Sequence, residues 1–397
     1  MSDKATPRAL HDALVETLKH RGDLVDPRVE AAFRAVPRHL FLPGVPLDVA
    51  YADDAVPVKR DSDGSVISSS SQPSMIAAML AQLRLRPGDN VLEIGAGTGY
   101  MAALMQYIVG DSGIVTTMEL DQQMVRLASA NLHQAGFGRV NVVHADGAMG
   151  YAPRASYDRI IATVGIWDVP PAWVQQLKPT GILVAPLWID SLQLCVAFRC
   201  QPDDTLFSDY NVPCGFVRLR GPAEGPQVQK RLGSTSLTLI CNAIDRIDSR
   251  ALQTLLEDDA AEEYLPRRLT AHQYWQGFMP YLMLNYAPDT HFAVYNLMDD
   301  VRAFGIEGNG FALIASASAC FVPYQGQGKV YTFAGADAYL ALQDSFAAWE
   351  ADGFVMADRM RVQMHPTHEV PFATRGRIYH RPHHDLRVWQ EPGGSLS

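Results

Sequence analysis

With 397 residues, 48% of them hydrophobic and 19% charged, the chain has the balance of a folded globular protein and exceeds one ordinary domain of ~100–200 residues. Its formal charge of −10 excludes a protein that holds nucleic acid mainly through phosphate contacts. Met1–Lys4 has neither the apolar core nor the cleavage site of a secretory signal, and no apolar run reaches the ~18 residues of a membrane span, so a cytoplasmic protein without a membrane partner is expected.

The elements follow in order. Thr6 caps a first helix, Pro7 occupies its first turn, Leu10, Leu14 and Leu18 repeat at helical spacing, and Gly22 ends it. Asp26-Pro27 opens a second helix through Phe33, which runs into the proline-bounded segment Val36–Pro43. A polar stretch, Lys59 to Ser71, precedes a helix from Pro73 whose face carries Ile76, Met79, Leu80 and Leu83. From Val91 onward, short apolar strands alternate with helices: strand Val91–Ile94, helix Tyr100–Tyr107, strand Ile114–Met118, then a helix carrying Met124, Leu127 and Leu132. Strands at Val140–Val143, Arg159–Val164 and Ile182–Pro186 complete the series. Such alternation predicts a parallel sheet covered on both faces.

Gly221-Pro222-Ala223-Glu224-Gly225-Pro226 is the expected boundary, dividing residues 1–225 from a second domain at 226–397. The second region reads as mixed α and β: strands at Ser236–Ile240 and Phe311–Ala315, helices at Ser249–Leu256 and Ala336–Asp352. There is no internal repeat. The five cysteines, Cys195, Cys200, Cys214, Cys241 and Cys320, lack metal-ligand spacing and read as reduced core thiols. Tyr274, Trp275, Phe278, Tyr281 and Tyr286 read as core or interface packing.

The chemistry concentrates at Glu93-Ile94-Gly95-Ala96-Gly97-Thr98-Gly99-Tyr100, a glycine-rich turn from strand to helix. Such glycines let the backbone turn tightly and approach a ligand without an intervening side chain. Glu119 ends the next strand 24 positions after Gly95, where a carboxylate meets ribose hydroxyls. Asp146-Gly147 follows the third strand and suits an adenine edge. Tyr100 stands where a dinucleotide fingerprint needs a small residue, and no phosphate-gripping lysine follows. An adenosine without pyrophosphate, S-adenosylmethionine, fits better, with Glu93 near its cationic methionine end. The expected cofactor-binding set is Glu93, Gly95, Ala96, Gly97, Thr98, Gly99, Glu119, Leu120, Asp146, Gly147 and Thr163. No metal is expected. His365-Pro366-Thr367-His368 and His383-His384 lack helical ligand spacing and a matching carboxylate or cysteine.

Val36-Pro37-Arg38-His39-Leu40-Phe41, Ala50-Tyr51-Ala52-Asp53, Ser70-Ser71-Gln72-Pro73 and Val91–Tyr100 occur in the order typical of another group of enzymes, and Gln176-Leu177-Lys178-Pro179-Thr180-Gly181 matches their Q-L-K-P-G-G turn. On these motifs residues 5–225 resemble the protein-L-isoaspartate O-methyltransferases. The resemblance implies a Rossmann-like class I methyltransferase fold, here with an additional C-terminal α+β domain. It also implies S-adenosylmethionine as cofactor, S-adenosylhomocysteine as product, and a carboxylate acceptor on an aspartyl or isoaspartyl residue of a peptide or protein. The family's T-I-S-x-P serine falls on Ser71, with Ser70 beside it, by distance to Pro73. A second register, Gly64-Ser65-Val66-Ile67-Ser68 on G-Q-T-I-S, makes Ser68 the candidate, and a helix-capping loop is the bland alternative. Ser69 and Ser70 depart from the usual threonine and isoleucine, and Lys59–Gly64 lengthens the preceding loop.

The added C-terminal region resembles that of extended methyltransferases acting on ribosomally made peptides (lanthipeptides, lasso peptides, graspetides), and the resemblance implies methylation of a chosen aspartate leading to a succinimide. Repair of isoaspartyl proteins is the second expectation. A non-catalytic cofactor- or peptide-binding module and a nicotinamide oxidoreductase are the alternatives of other classes. Oligomeric state is not legible in the sequence.

Overall fold

The computed structural model describes residues 6–62, 64–242, 244–297, 302–367 and 376–391. The N-terminal helices form where the caps place them. In α1 (Pro7–Arg21) the Thr6 hydroxyl accepts from the Ala9 N–H, and the left-handed Gly22 closes the last turn. Asp26 caps α2 (Pro27–Ala35), and the short α3 spans Leu47–Ala50. The stretch read as a polar loop is instead an antiparallel hairpin, β1 (Val56–Arg60) and β2 (Val66–Ser70), which leads into α4 (Pro73–Leu83). Its serines and charges hid a period-2 pattern, with Ser68 and Ser70 buried on one face of β2.

Then comes the alternating core: β3 (Asn90–Ile94), α5 (Tyr100–Val109), β4 (Ile114–Glu119), α6 (Gln122–Gln134), β5 (Asn141–His144), β6 (Tyr157–Ala162), α7 (Pro171–Gln176) and β7 (Leu177–Trp188). These five strands pair in parallel in the order β5-β4-β3-β6-β7. Between β6 and β7 the register jumps from Tyr157↔Leu177 to Arg159↔Ile182, so the Lys178–Gly181 turn bulges out of the ladder. The chain reverses into β8 (Gln193–Cys200) and β9 (Leu206–Cys214), both antiparallel to their neighbours.

Beyond residue 225 the chain builds a second sheet. Its strands are β10 (Gln229–Arg231), β11 (Leu237–Ile240), β12 (Ala261–Tyr264), β13 (His291–Leu297), β14 (Gly310–Ile314), β15 (Ser318–Pro323) and β16 (Lys329–Ala334), all antiparallel. Helices Ser249–Leu256 and Asp337–Ala351 lie where the sequence places them. The chain then returns to the first sheet: β17 (Met360–Pro366) pairs with β9, and β19 (His384–Gln390) joins it to β18 (Arg377–His380), making ten strands in all.

Strand alternation explains why the two regions pack as they do. On β3, β6 and β7, Val91, Ile161 and Val184 face the core under α1, α2, α4 and α5. Leu92, Ile94, Ile160, Ala162, Leu183 and Ala185 face the opposite side and share one core with Tyr274, Phe278, Phe311, Trp349 and Met360 of the later region. That region therefore covers much of one face of the first sheet, beside Trp173 of α7. Tyr274, Phe278 and Tyr281 are buried there as expected, while Trp275 is partly exposed. Cys195, Cys241 and Cys320 are buried, and Cys200 and Cys214 are half-buried. No helix among the described residues is long and apolar enough to cross a membrane.

Candidate active site

A cleft opens at the carboxyl ends of β3, β4 and β6, where the strand order reverses: β3 leads to β4 on one side, and β5 crosses back to β6 on the other. Ligands of open α/β sheets bind at such a switch point. Its floor is the glycine turn. Gly95 adopts φ +100°, and a Cβ there would lie 2.8 Å from the Thr163 hydroxyl, so only glycine fits between the two strand ends. The Thr163 hydroxyl in turn donates to the Gly95 carbonyl at 2.6 Å and locks the turn to β6. Gly99, at φ +86°, starts α5 with its Cα against Leu132 of α6, so its role is packing behind the cleft.

Two glutamates face this floor. Glu119 accepts from the Gly97 N–H at 3.2 Å and the Asp121 N–H at 3.1 Å, which fixes its carboxylate at the end of β4. Glu93 is fully buried and neither of its carboxylate oxygens has a hydrogen-bond partner. Burial pushes its pKa up to about 8, and the charge of Glu119 adds to that shift. An orphaned buried carboxyl beside a glycine cradle fits a ligand carrying a positive charge and a ribose. The donor set therefore suits S-adenosylmethionine: Glu119 for the ribose, Glu93 toward the cationic end, and Gly95–Thr98 beneath.

Of the residues expected at the cofactor, Glu93, Gly95, Ala96, Gly97, Thr98, Glu119, Leu120, Gly147 and Thr163 line the cleft. Gly99 and Asp146 stand behind it; the Asp146 side chain accepts from the Ala148 N–H and caps a short turn.

The opposite wall is the end of β2. Ser68, Ser69, Ser70 and Ser71 all line the cleft, so both registers read from the sequence reach it. The Ser70 hydroxyl is buried without a partner. Behind this wall lies Arg38, completely buried and, among the described residues, without a carboxylate partner. Its guanidinium donates to the carbonyls of Ala50, Ala52, Asp54 and Ser71, each at 3.0 Å, and of Ser70 at 3.4 Å. Arg38 stood inside a recognised motif, yet spacing alone could not show that it gathers three loops. Asp53 fixes the same region by accepting from the Ser74 N–H at 2.8 Å. The hairpin is fastened across the cleft mouth where Lys59 of β1 meets Asp121, the cap of α6, at 2.5 Å.

Sequence reasoning missed the third wall, Val217–Arg220, which carries no motif. It is held by the Gly165 N–H donating to the Val217 carbonyl at 2.7 Å and the Leu219 N–H donating to the Gly165 carbonyl at 2.8 Å. The later region braces the loop that continues from Gly165. Asp168 accepts from His384 Nδ1 at 2.8 Å and from the His383 N–H at 2.7 Å, and the Arg381 guanidinium lies 3.3 Å from the centre of the Trp167 ring. Those histidines thus serve the domain junction. His365 lies beside Thr205, and His368 falls outside the described residues.

Comparison with known proteins agrees with this geometry. The family model described as "Protein-L-isoaspartate(D-aspartate) O-methyltransferase (PCMT)" matches residues 9–224. A protein-L-isoaspartate O-methyltransferase of Methanopyrus kandleri is 40% identical over 220 residues, covering 55% of this chain and 94% of that protein. One of Rhodopseudomonas palustris is 42% identical over 212 residues, covering 53% and 93%. A solved structure titled protein-L-isoaspartate O-methyltransferase aligns over 89% of this chain and 96% of its own, at 24% identity and a TM-score of 0.51. That span extends past residue 225, so the fold of the later region is at least partly shared. The chain belongs to the protein-L-isoaspartate(D-aspartate) O-methyltransferase family and is a carboxyl O-methyltransferase that uses S-adenosylmethionine.

Proposed function

We propose that this chain methylates the free carboxylate of an aspartyl or isoaspartyl residue in a peptide, held at Ser70–Ser71–Gln72 across the cleft from Glu93 and Glu119. The observation that carries this reading is Arg38 behind the loop. It draws the carbonyls of Ser70 and Ser71 toward itself. In a trans peptide the N–H points opposite to the carbonyl, so the N–H groups of Ser71 and Gln72 turn away from Arg38. They stand at the start of α4, whose N-terminal end favours negative charge. Asp53 already accepts from the Ser74 N–H at this helix end, so the outward N–H groups of Ser71 and Gln72 and the buried cation are what favour an anionic acceptor at this wall.

When bound, S-adenosylmethionine supplies an electrophilic methyl group on a sulfonium. A carboxylate acceptor, which ordinarily titrates near pH ~4, is already ionised at neutral pH, so the chain has no proton to remove. Its work is to orient and to exclude water. Ser71 orients the acceptor oxygen, and the unpartnered hydroxyl of Ser70 is a second donor. The Val217–Arg220 wall and the strapped hairpin cover the cleft. Asp146 is assigned to the adenine through the Gly147 turn.

The substrate we favour is a ribosomally made peptide, in which the ester of a chosen aspartate is attacked by the next backbone amide to give a succinimide with loss of methanol. The observation favouring it is the region after residue 225, which lies beyond the family match at 9–224, while the two curated relatives are themselves covered to 94% and 93% by 55% and 53% of this chain. The solved structure that shares part of that fold bears the family's ordinary name, so repair of isoaspartyl proteins is the competing reading. Under both, the region after residue 225, expected as a separate domain at 226–397 but sharing its last strands with the first sheet, recognises the peptide. The deciding experiment offers the enzyme equal concentrations of an isoaspartyl hexapeptide and aspartyl precursor peptides encoded near its gene, with tandem mass spectrometry locating the methyl group. Preference for a precursor supports the favoured substrate. Efficient turnover of the generic isoaspartyl peptide alone would establish repair.

A further inference from the structure

At the other end of the parallel sheet from the cleft, a cavity of about 310 Å³ lies among the starts of β3 and β6, the turn entering β7 and the end of β8. Four arginines line it: Arg84, Arg86, Arg159 and Arg199. We propose that this basin binds a small multivalent oxyanion of the phosphate or pyrophosphate class.

The carboxylates of the basin are already engaged. Asp158 accepts from Lys178 Nζ at 2.8 Å and from the Asn90 N–H at 2.9 Å, and Asp89 accepts from the Arg86 N–H at 2.9 Å. Asp209 serves two cations at once, 2.5 Å from Arg199 and 3.4 Å from Arg84. Arg86 forms no ion pair among the described residues. Arg159 is buried and spends its donors on the carbonyls of Leu83 at 2.7 Å, Asp158 at 2.8 Å and Arg84 at 3.1 Å, so its charge, 3.7 Å from Asp89, contributes to the basin as a fixed cation. Burial disfavours its charge, Asp89 and Asp158 favour it, and the guanidiniums of Arg86 and Arg199 repel it. A concentration of positive charge in a chain of net charge −10 calls for an anion. Several guanidinium forks facing one cavity suit an oxyanion with more than two oxygens.

A second observation comes from the backbone. Arg84 ends α4 in the left-handed conformation at φ 51° and ψ 50°, a position that usually falls to glycine. The strain is tolerated at a residue whose carbonyl anchors Arg159 at 3.1 Å and whose side chain reaches the cavity. No aromatic ring lines the basin, so it offers a nucleoside base nothing to stack on.

The test is scanning calorimetry of the full chain with pyrophosphate, inorganic phosphate, AMP or chloride at matched ionic strength. Pyrophosphate is expected to raise the Tm saturably, with phosphate weaker and chloride without effect. Arg86→Gln with Arg199→Gln should weaken the apparent pyrophosphate affinity at least tenfold and leave S-adenosylhomocysteine binding unchanged. Arg84→Gly should raise the Tm of the ligand-free protein, by relieving strain, and yet reduce its response to pyrophosphate. Equal responses in the wild type and the double variant, or no response in the wild type, would overturn the proposal. AMP binding more tightly than pyrophosphate would overturn the ligand class.

Discussion

Replacing Arg38 with methionine tests the serine wall most sharply. The side chain is fully buried and ties its own segment to two others, through the carbonyls of Ala50, Ala52 and Asp54 and of Ser70 and Ser71. Methionine matches much of its length and offers no donor. Each carbonyl left buried without a partner costs about 1–3 kcal/mol. Removing the buried charge recovers part of that, because burial already disfavours the guanidinium and holds its pKa below the usual arginine value. The net loss is roughly 3–5 kcal/mol, the range for breaking a buried polar network, or a fall in Tm of roughly 5–10 °C. Calorimetry reads the stability. Steady-state kinetics should show a larger loss in kcat/KM for peptide than in S-adenosylhomocysteine affinity, since the glycine floor is untouched. Arg38→Lys, which keeps the charge but has three donors, should fall between. A variant less than about 1 kcal/mol destabilised, with unchanged kcat/KM, would refute the reasoning.

Other expectations are as direct. Ser71→Ala should lower kcat by about tenfold or more with little change in cofactor affinity; an equal loss in Ser68→Ala alone would shift the acceptor position along β2. Glu93→Gln tests a pH dependence. Because the folded pKa of about 8 lies above the ordinary 4.5, the group's contribution is greatest below pH 4.5, falls as pH rises, and levels off above about pH 8. At about 1.4 kcal/mol per pKa unit the variant should gain up to several kcal/mol relative to wild type in ligand-free protein at pH 8, measured by denaturation across pH, while binding cofactor more weakly. Parallel stability profiles of the two proteins would refute it. Glu119→Gln should weaken S-adenosylhomocysteine binding by calorimetry roughly tenfold, and Asp168→Ala, which frees the His384 and His383 anchors, should lower kcat/KM for peptide without that loss.

The catalytic half was legible in the sequence because its signals are local. Thr6 and Asp26 cap the helices as read, the Gly95–Gly99 turn sits between strand and helix, and Glu119 ends its strand. The hairpin at 56–70 escaped because polar serines occupy inward positions, so burial ran against residue type. Arg38 and the Val217–Arg220 wall depend on contacts between distant segments that no spacing reveals. The later region was read as strands and helices, but not as one face of the catalytic sheet. That arrangement rests on β17 pairing with β9 across roughly 150 residues of chain, a non-local choice made by packing.

The central claim is methyl transfer to a peptide carboxylate at the serine wall. The most direct measurement incubates the full chain with S-adenosylmethionine and an isoaspartyl peptide or an aspartyl precursor, followed by mass spectrometry and mild base. The account predicts a methyl gain on the aspartyl or isoaspartyl residue that base releases as methanol, strongly reduced by Ser71→Ala. A base-stable methyl group on another side chain, or no transfer from a protein that binds the cofactor, would contradict it.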